Sequence, residues 1–173
     1  MPDRTTVSRR HTLSVIVENE FGVLSRVIGL FSGRGYNIES LTVAEVDSGQ
    51  NLSRITIVTS GSDMVIEQIK NLLDRLVPVH RVSDLTMTGS FIEREMAFIK
   101  VVATGKNRVE SIRIADIFRA RVVDATIESF VFEISGSREK IETFTELMRP
   151  LGLAEICRTG VIALARGKKT AFD

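Results

Sequence analysis

The run Asn19-Glu20-Phe21-Gly22-Val23-Leu24 holds the residue types best suited to bind a small polar molecule. It lies between a stretch with strand alternation and one with helical spacing. The first turn of such a helix leaves backbone N–H groups unpaired and carries the positive end of the helix dipole. A carboxylate would bind well there. Gly22 permits close backbone approach to a ligand. The Asn19 amide can both donate and accept, which suits a ligand with ammonium and carboxylate groups. The same residues support a plainer reading, in which Asn19 or Glu20 caps the helix and Gly22 eases the turn.

A second stretch, Gly33-Arg34-Gly35-Tyr36-Asn37-Ile38, closes that helix and opens the next strand. It reads either as an ordinary helix end with a turn Asn or as a further polar anchor at Asn37. A helix of about twelve residues is about 18 Å long, so Asn37 cannot easily reach the Asn19 of its own chain. A facing subunit could bring the two together, which points to a ligand shared across a dimer interface.

Other chemistries find no support. The single cysteine, Cys157, excludes an internal disulfide and a thiolate zinc cluster. His11 is read as part of a frayed start, and His80 follows Pro78; both are expected at a surface or edge. No nucleophile–base motif is present. The segment Thr104-Gly105-Lys106-Asn107 lacks the leading loop of a phosphate-cradling motif. The strand at 53–60 has no aromatic residue for stacking RNA bases. The chain has 23 basic and 22 acidic residues, a net charge of +1, so no basic footprint for nucleic acid exists. Residues 1–86 carry 9 basic and 10 acidic groups, and 87–173 carry 14 and 12, giving −1 and +2. Neither half is marked for a charged partner. Apolar runs are too short to span a bilayer, and the start has no signal-peptide core. A cytoplasmic protein with no nucleic-acid or membrane partner is expected.

The elements that must position these residues repeat. Residues 12–18 alternate as a strand. Leu24, Val27, Ile28 and Phe31 have the spacing of a helix with one buried face, which Gly33 and Gly35 stop by adopting left-handed conformations. Strands are expected at 37–47 and 52–59, joined as a hairpin. A helix from about Asp63, capped by Ser62 or Asp63, buries Ile66, Ile69, Leu72, Leu73 and Leu76. A last strand runs over 79–87. The second half follows the same order. It has a strand at 95–104 and a turn at Gly105–Asn107. A helix at 108–119 buries Val109, Ile112, Ala115 and Phe118. Strands follow at 121–127 and 129–135. A helix from Ser137 buries Ile141, Phe144, Leu147 and Met148, and a strand at 153–164 is broken near Gly160. The fold class is α+β: two ferredoxin-like βαββαβ units, each an antiparallel sheet with its helices on one face. The open sheet face of so small a unit needs cover from a second unit or a second chain, so an oligomer is expected.

The runs 11–47, LSRITIVT (52–59), IEREMAFIKV (92–101), IFRARVVDAT (117–126) and RTGVIALARG (158–167) resemble the regulatory, or small, subunits of acetolactate synthase, also called acetohydroxyacid synthase. Residues 1–9 are polar and expected to be frayed; the resemblance implies an ACT domain at 10–87 and a second ferredoxin-like domain at 94–167, which leaves a linker at 88–93 and a tail at 168–173. It implies no catalytic site in the chain itself. The partner would be a large catalytic subunit using thiamine diphosphate, Mg²⁺ and FAD, and this chain has no Gly-Asp-Gly signature of a thiamine-diphosphate site. It further implies homodimerisation through ACT domains and feedback inhibition by valine or another branched-chain amino acid. The matching effector positions are Asn19, Glu20, Phe21, Gly22, Val23 and Leu24 of one subunit, with Asn37 and Ile38 of the facing one. Phe21 is bulkier than the residue common in relatives. The competing reading is a free-standing amino-acid sensor of ACT type acting on a different protein.

Overall fold

The computed structural model describes residues 7–171. Of the stretch expected to be frayed, residues 1–6 lie outside the described residues, and a strand has begun by Arg9. Residues 172 and 173 of the expected tail also lie outside. Contacts divide the chain into two units, one running to Glu93 and taking in the chain from Val161 onward, the other Arg94–Gly160.

The first unit contains β1 (Arg9–Glu18), α1 (Val23–Ser32), β2 (Ser40–Asp47), β3 (Leu52–Gly61), α2 (Asp63–Asp74), β4 (Val79–Asp84) and the single turn α3 (Leu85–Thr88). Its sheet order is β2-β3-β1-β4 with every pairing antiparallel. Strand alternation puts Leu13, Val15 and Val17 of β1 on one face with Ile55 and Ile57 of β3. They pack against Val27 and Phe31 of α1 and Ile66, Ile69 and Leu73 of α2. Each such side chain contributes about 1.5–3 kcal/mol by leaving water. The buried stripe of α1 is Val23, Val27, Leu30 and Phe31. It is rotated from the expected one, with Leu24 and Ile28 only half-buried at its flank. Gly33 ends α1 in a right-handed conformation; the left-handed residue is Gly35, after which Tyr36 N–H returns to Phe31 O. Ser62 caps α2, as expected, by accepting from Val65 N–H.

Two sequence expectations fail at one place. The strand expected over 79–87 stops at Asp84, whose Oδ1 accepts from Thr86 N–H at 3.0 Å and starts α3. The other oxygen of Asp84 lies 2.8 Å from His11 Nδ1. His11 is not a surface residue: it is 1% exposed and Asp84 2%. The reason is that β1 starts at Arg9, which puts position 11 in phase with Leu13 and Val15 on the core face. His80 is exposed, as expected, and pairs with Glu18 at 2.6 Å.

The second unit contains β5 (Phe91–Val102) from Arg94 onward, α4 (Gly105–Phe118), β6 (Arg121–Ala125), β7 (Ser129–Gly136), α5 (Arg138–Met148), a 3-10 turn (Arg149–Leu151) and β8 (Leu153–Arg158). Its sheet order, β6-β7-β5-β8, matches that of the first unit. The proposed linker 88–93 is occupied by the end of α3 and the start of β5. Ala97, Ile99 and Val101 join Phe130, Phe132, Ile134, Ile141, Phe144 and Met148 in the core. Phe132 and Phe144 meet edge to face at 6.0 Å. The helix α4 departs from its expected face: Val109 is 61% exposed and Ile112 37% exposed, while Ser111 and Ala115 are buried. Small residues four apart face the sheet, and Ser111 Oγ donates to Arg108 O at 2.8 Å, so its burial leaves no unmet hydroxyl. The Arg108 guanidinium stacks 3.9 Å above the Phe130 ring. The turn expected at Gly105–Asn107 already belongs to α4. In α5, capped by Ser137, Thr145 is buried where Leu147 was expected. Arg158 grips Glu95 through two bonds of 2.6 and 2.7 Å, and that hydrogen bond holds the guanidinium above its ordinary pKa.

The break at Gly160 is present, and it separates β8 from β9 (Ile162–Ala165), which pairs with β5. Residues 161–167, assigned by sequence to the second domain, pack with the first unit: Val161 N–H donates to Ser40 Oγ of β2 at 2.8 Å.

Two substitutions probe these contacts. Asp84→Ala removes the partner of a buried imidazole and the cap of α3, and should cost about 3 kcal/mol in urea denaturation. Gly152 has φ +110°, and a methyl group there would lie 2.1 Å from Val102 O. Gly152→Ala should therefore cost about 3 kcal/mol or more, read as a lower denaturation midpoint.

Candidate functional site

The loop from β1 into α1 is held by backbone, not by side-chain caps. Asn19 N–H donates to Asn51 O at 2.7 Å, and Asn51 Nδ2 donates back to Asn19 O at 3.3 Å. This clamp sits where Glu18 pairs with Leu52, so the register of β1 with β3 fixes where the loop starts. Asn51 itself has φ +55°. The sequence identifies Ser48–Asn51 only as a turn; the one signal for the clamp is an Asn at the end of a hairpin turn, a residue that tolerates left-handed backbone.

Gly22 is the N-cap of α1 with φ +82°, and no side chain caps this end of the helix. Its carbonyl accepts from Arg26 N–H at 3.0 Å. No acidic residue occupies the first turn of α1. Glu20 does not cap the helix either: its carboxylate pairs with Arg26 at 3.3 Å. The capping reading is thereby removed for Glu20, and the dipole end stays accessible to an outside anion. An added methyl at Gly22 would meet nothing within 4 Å, so the surface above the glycine is open. Phe21 is 103% exposed, a whole aromatic ring in solvent. Val23 is buried in the core and offers only its backbone, whereas Leu24 is half-buried beside the same core.

Asn37 and Ile38 lie at the other end of the sheet. Asn37 O accepts from Thr59 Oγ1 at 2.6 Å, and Thr59 pairs with His11 near the start of β1. Leu52 and Thr59 are seven positions apart on β3, about 24 Å at 3.4 Å per residue. Within one protomer the fold therefore brings Asn19 through Leu24 together and holds Asn37 and Ile38 apart from them. Ile38 packs at the edge of the core. Thr59, a buried residue the sequence reading passed over, anchors the Asn37 backbone. Among the described residues there is no group of three metal-ligating side chains, and no helix is long and apolar enough to cross a membrane.

Comparison with known proteins gives a consistent result over both units. A model of the AHAS small subunit-like ACT domain matches residues 13–81, and a model of the small subunit of acetolactate synthase matches residues 94–167. The chain is 46% identical over 160 residues to the probable acetolactate synthase small subunit of Archaeoglobus fulgidus, covering 92% of this chain and 99% of that protein. It is 47% identical over 161 residues to the acetolactate synthase isozyme 3 small subunit of Escherichia coli K12, covering 92% and 98%. The crystal structure of the acetolactate synthase small subunit of Thermotoga maritima superposes with a TM-score of 0.85 at 38% identity, covering 93% of this chain and 99% of that one.

The geometry at Gly22 makes one stability prediction. Gly22→Ala meets no steric obstacle but forces a left-handed alanine, so it should destabilise by about 1 kcal/mol in urea denaturation without loss of fold.

Proposed function

Because the chain belongs to the family of acetolactate synthase small subunits, we propose that it activates a large catalytic subunit and makes that subunit subject to feedback inhibition by valine or another branched-chain amino acid. In this reading the large subunit carries thiamine diphosphate, Mg²⁺ and FAD, and the reaction is the first common step of branched-chain amino-acid synthesis. The observation that carries the effector site is the uncapped N-terminus of α1 at Gly22, open to solvent and free of acidic side chains in its first turn.

The effector's carboxylate would lie against the backbone N–H groups of Gly22 and Leu24, Val23 N–H being turned to Glu20 O at 3.5 Å, and its ammonium group against the Asn19 side-chain oxygen. Asn37 and Ile38 would come from the facing protomer of a homodimer, since the 24 Å or so between the two ends of the sheet excludes a contribution from the same chain. Leu24 and Ile38, both half-buried, would flank the aliphatic side chain, with Phe21 closing the outer side. Removing a branched side chain from water is worth about 1.5–3 kcal/mol. That separates valine from alanine strongly and valine from isoleucine weakly. Inhibition then requires the bound effector to favour one arrangement of the assembly over another.

Reconstitution tests the reading. The chain should co-purify with the large subunit and stimulate acetolactate formation, and valine should reverse the stimulation. Asn19→Ala should retain stimulation while weakening valine binding about ten- to a hundredfold in isothermal titration, as loss of one hydrogen bond to a charged group demands. Unchanged valine affinity would remove Asn19 from the site. A chain that neither binds nor stimulates the large subunit, yet still binds valine, would be a free-standing sensor.

A further inference from the structure

The face of the first sheet that turns away from α1 and α2 carries polar side chains in register. Thr42, Thr56, Ser14 and Ser83 are neighbours across β2, β3, β1 and β4, and Arg54, Ile16 and Arg81 form the next row. Such a face normally meets water, yet Ser14 and Thr56 are buried. The segment after Val161, part of the same unit, returns over this face and leaves a cavity of about 600 Å³ beneath it. Its walls include Ser14, Arg54, Arg81 and Ser83 from the sheet, and Ala163 and Lys169 from the returning segment. Among the described residues the lining has three basic side chains and no acidic one.

Two polar atoms at this wall are unmatched. Ser14 Oγ and Arg54 Nε are buried with no hydrogen-bond partner. Burial lowers the pKa of Arg54, and among the described residues no carboxylate offsets it. Arg54 as a whole is half-buried, and a guanidinium held partly out of water with an unmatched Nε is one that proteins ordinarily pair. The contrast within the chain is Arg158, whose two bonds to Glu95 raise its pKa. Guanidinium and hydroxyl donors converging on one space match an oxyanion with several acceptor oxygens. None of Asn19–Leu24, Asn37 or Ile38 lines this cavity, so it is separate from the proposed effector site.

We propose that this cavity is a binding site for a small oxyanion of the phosphate class, held by Arg54 and Ser14 and closed by Lys169 of the returning segment. Lys169, exposed and, among the described residues, bonded to Thr88 O at 3.4 Å, can swing toward the cavity when an anion enters.

The test is thermal unfolding of the full chain in inorganic phosphate against potassium chloride of equal ionic strength. The expected result is a saturable rise in Tm with phosphate only, as binding to the folded state requires. Arg54→Met should abolish the rise. Lys169→Met, on an exposed side chain, should weaken phosphate affinity severalfold and keeps the test decisive if Arg54→Met does not fold. The proposal is overturned by an equal response to chloride, by no response, or by an undiminished shift in either variant. A phosphate response that appears only after deletion of Phe172 and Asp173 also overturns it, because the chain's own carboxylates would then be the occupant.

Discussion

The antiparallel pairing of β1 with β3, continuous from Arg9 opposite Gly61 to Glu18 opposite Leu52, is the constraint on which the first unit rests. It assigns Leu13, Val15 and Val17 to the helices and Thr12, Ser14 and Ile16 to the other face. A slip of one residue would exchange the two sets, burying hydroxyls under α1 and exposing the core. The same pairing ends β1 where Asn51 can clamp Asn19, and so fixes where α1 starts. It also sets Arg54 beside Ile16, within the row that Arg81 completes. Core, candidate loop and polar cavity are three consequences of one register.

The helix termini show how differently the ends of similar elements are treated. In α2 and α5 a serine accepts a hydrogen bond from the third residue on, which settles one donor of the first turn. At α1 a glycine stands in that position and settles none. The difference follows position in each unit, because α4, the first helix of the second unit, likewise has no side-chain cap at Thr104. Under the proposed function the open end has a use: an amino-acid effector would bring the negative charge that a cap would otherwise supply.

Most of the fold was legible because strand alternation and helix spacing are strong in this chain, and because the Ser62 cap and the break at Gly160 follow local rules. The candidate loop was legible for the same reason, lying between two clear elements. What failed was decided by tertiary contact. His11 looked peripheral because its neighbours are polar, and only the phase of a longer strand and the distant Asp84 bury it. The face of α4 was misjudged because apolar spacing pointed to Val109 and Ile112, whereas close approach to the sheet favours the small pair Ser111 and Ala115. Residues 161–167 looked like the continuation of a strand; nothing local says that they pack with a unit encoded before residue 94. The Asn51 clamp and the Arg54 Nε left unmatched among the described residues were invisible for the same reason, since each depends on what the fold brings up from far along the chain.

The return of the segment after Val161 has a consequence for synthesis. Domains generally fold as units in the order in which they leave the ribosome. Here the sheet of the first unit is complete in sequence by Asp84, but part of its cover is not translated until after the whole of the second unit. The nascent chain must therefore carry a sheet with one face unfinished through the time it takes to make Arg94–Gly160. The waiting face is mixed: Ile16 and Val58 are apolar, but Ser14, Thr42, Thr56, Ser83, Arg54 and Arg81 surround them and keep most of it compatible with water during the interval.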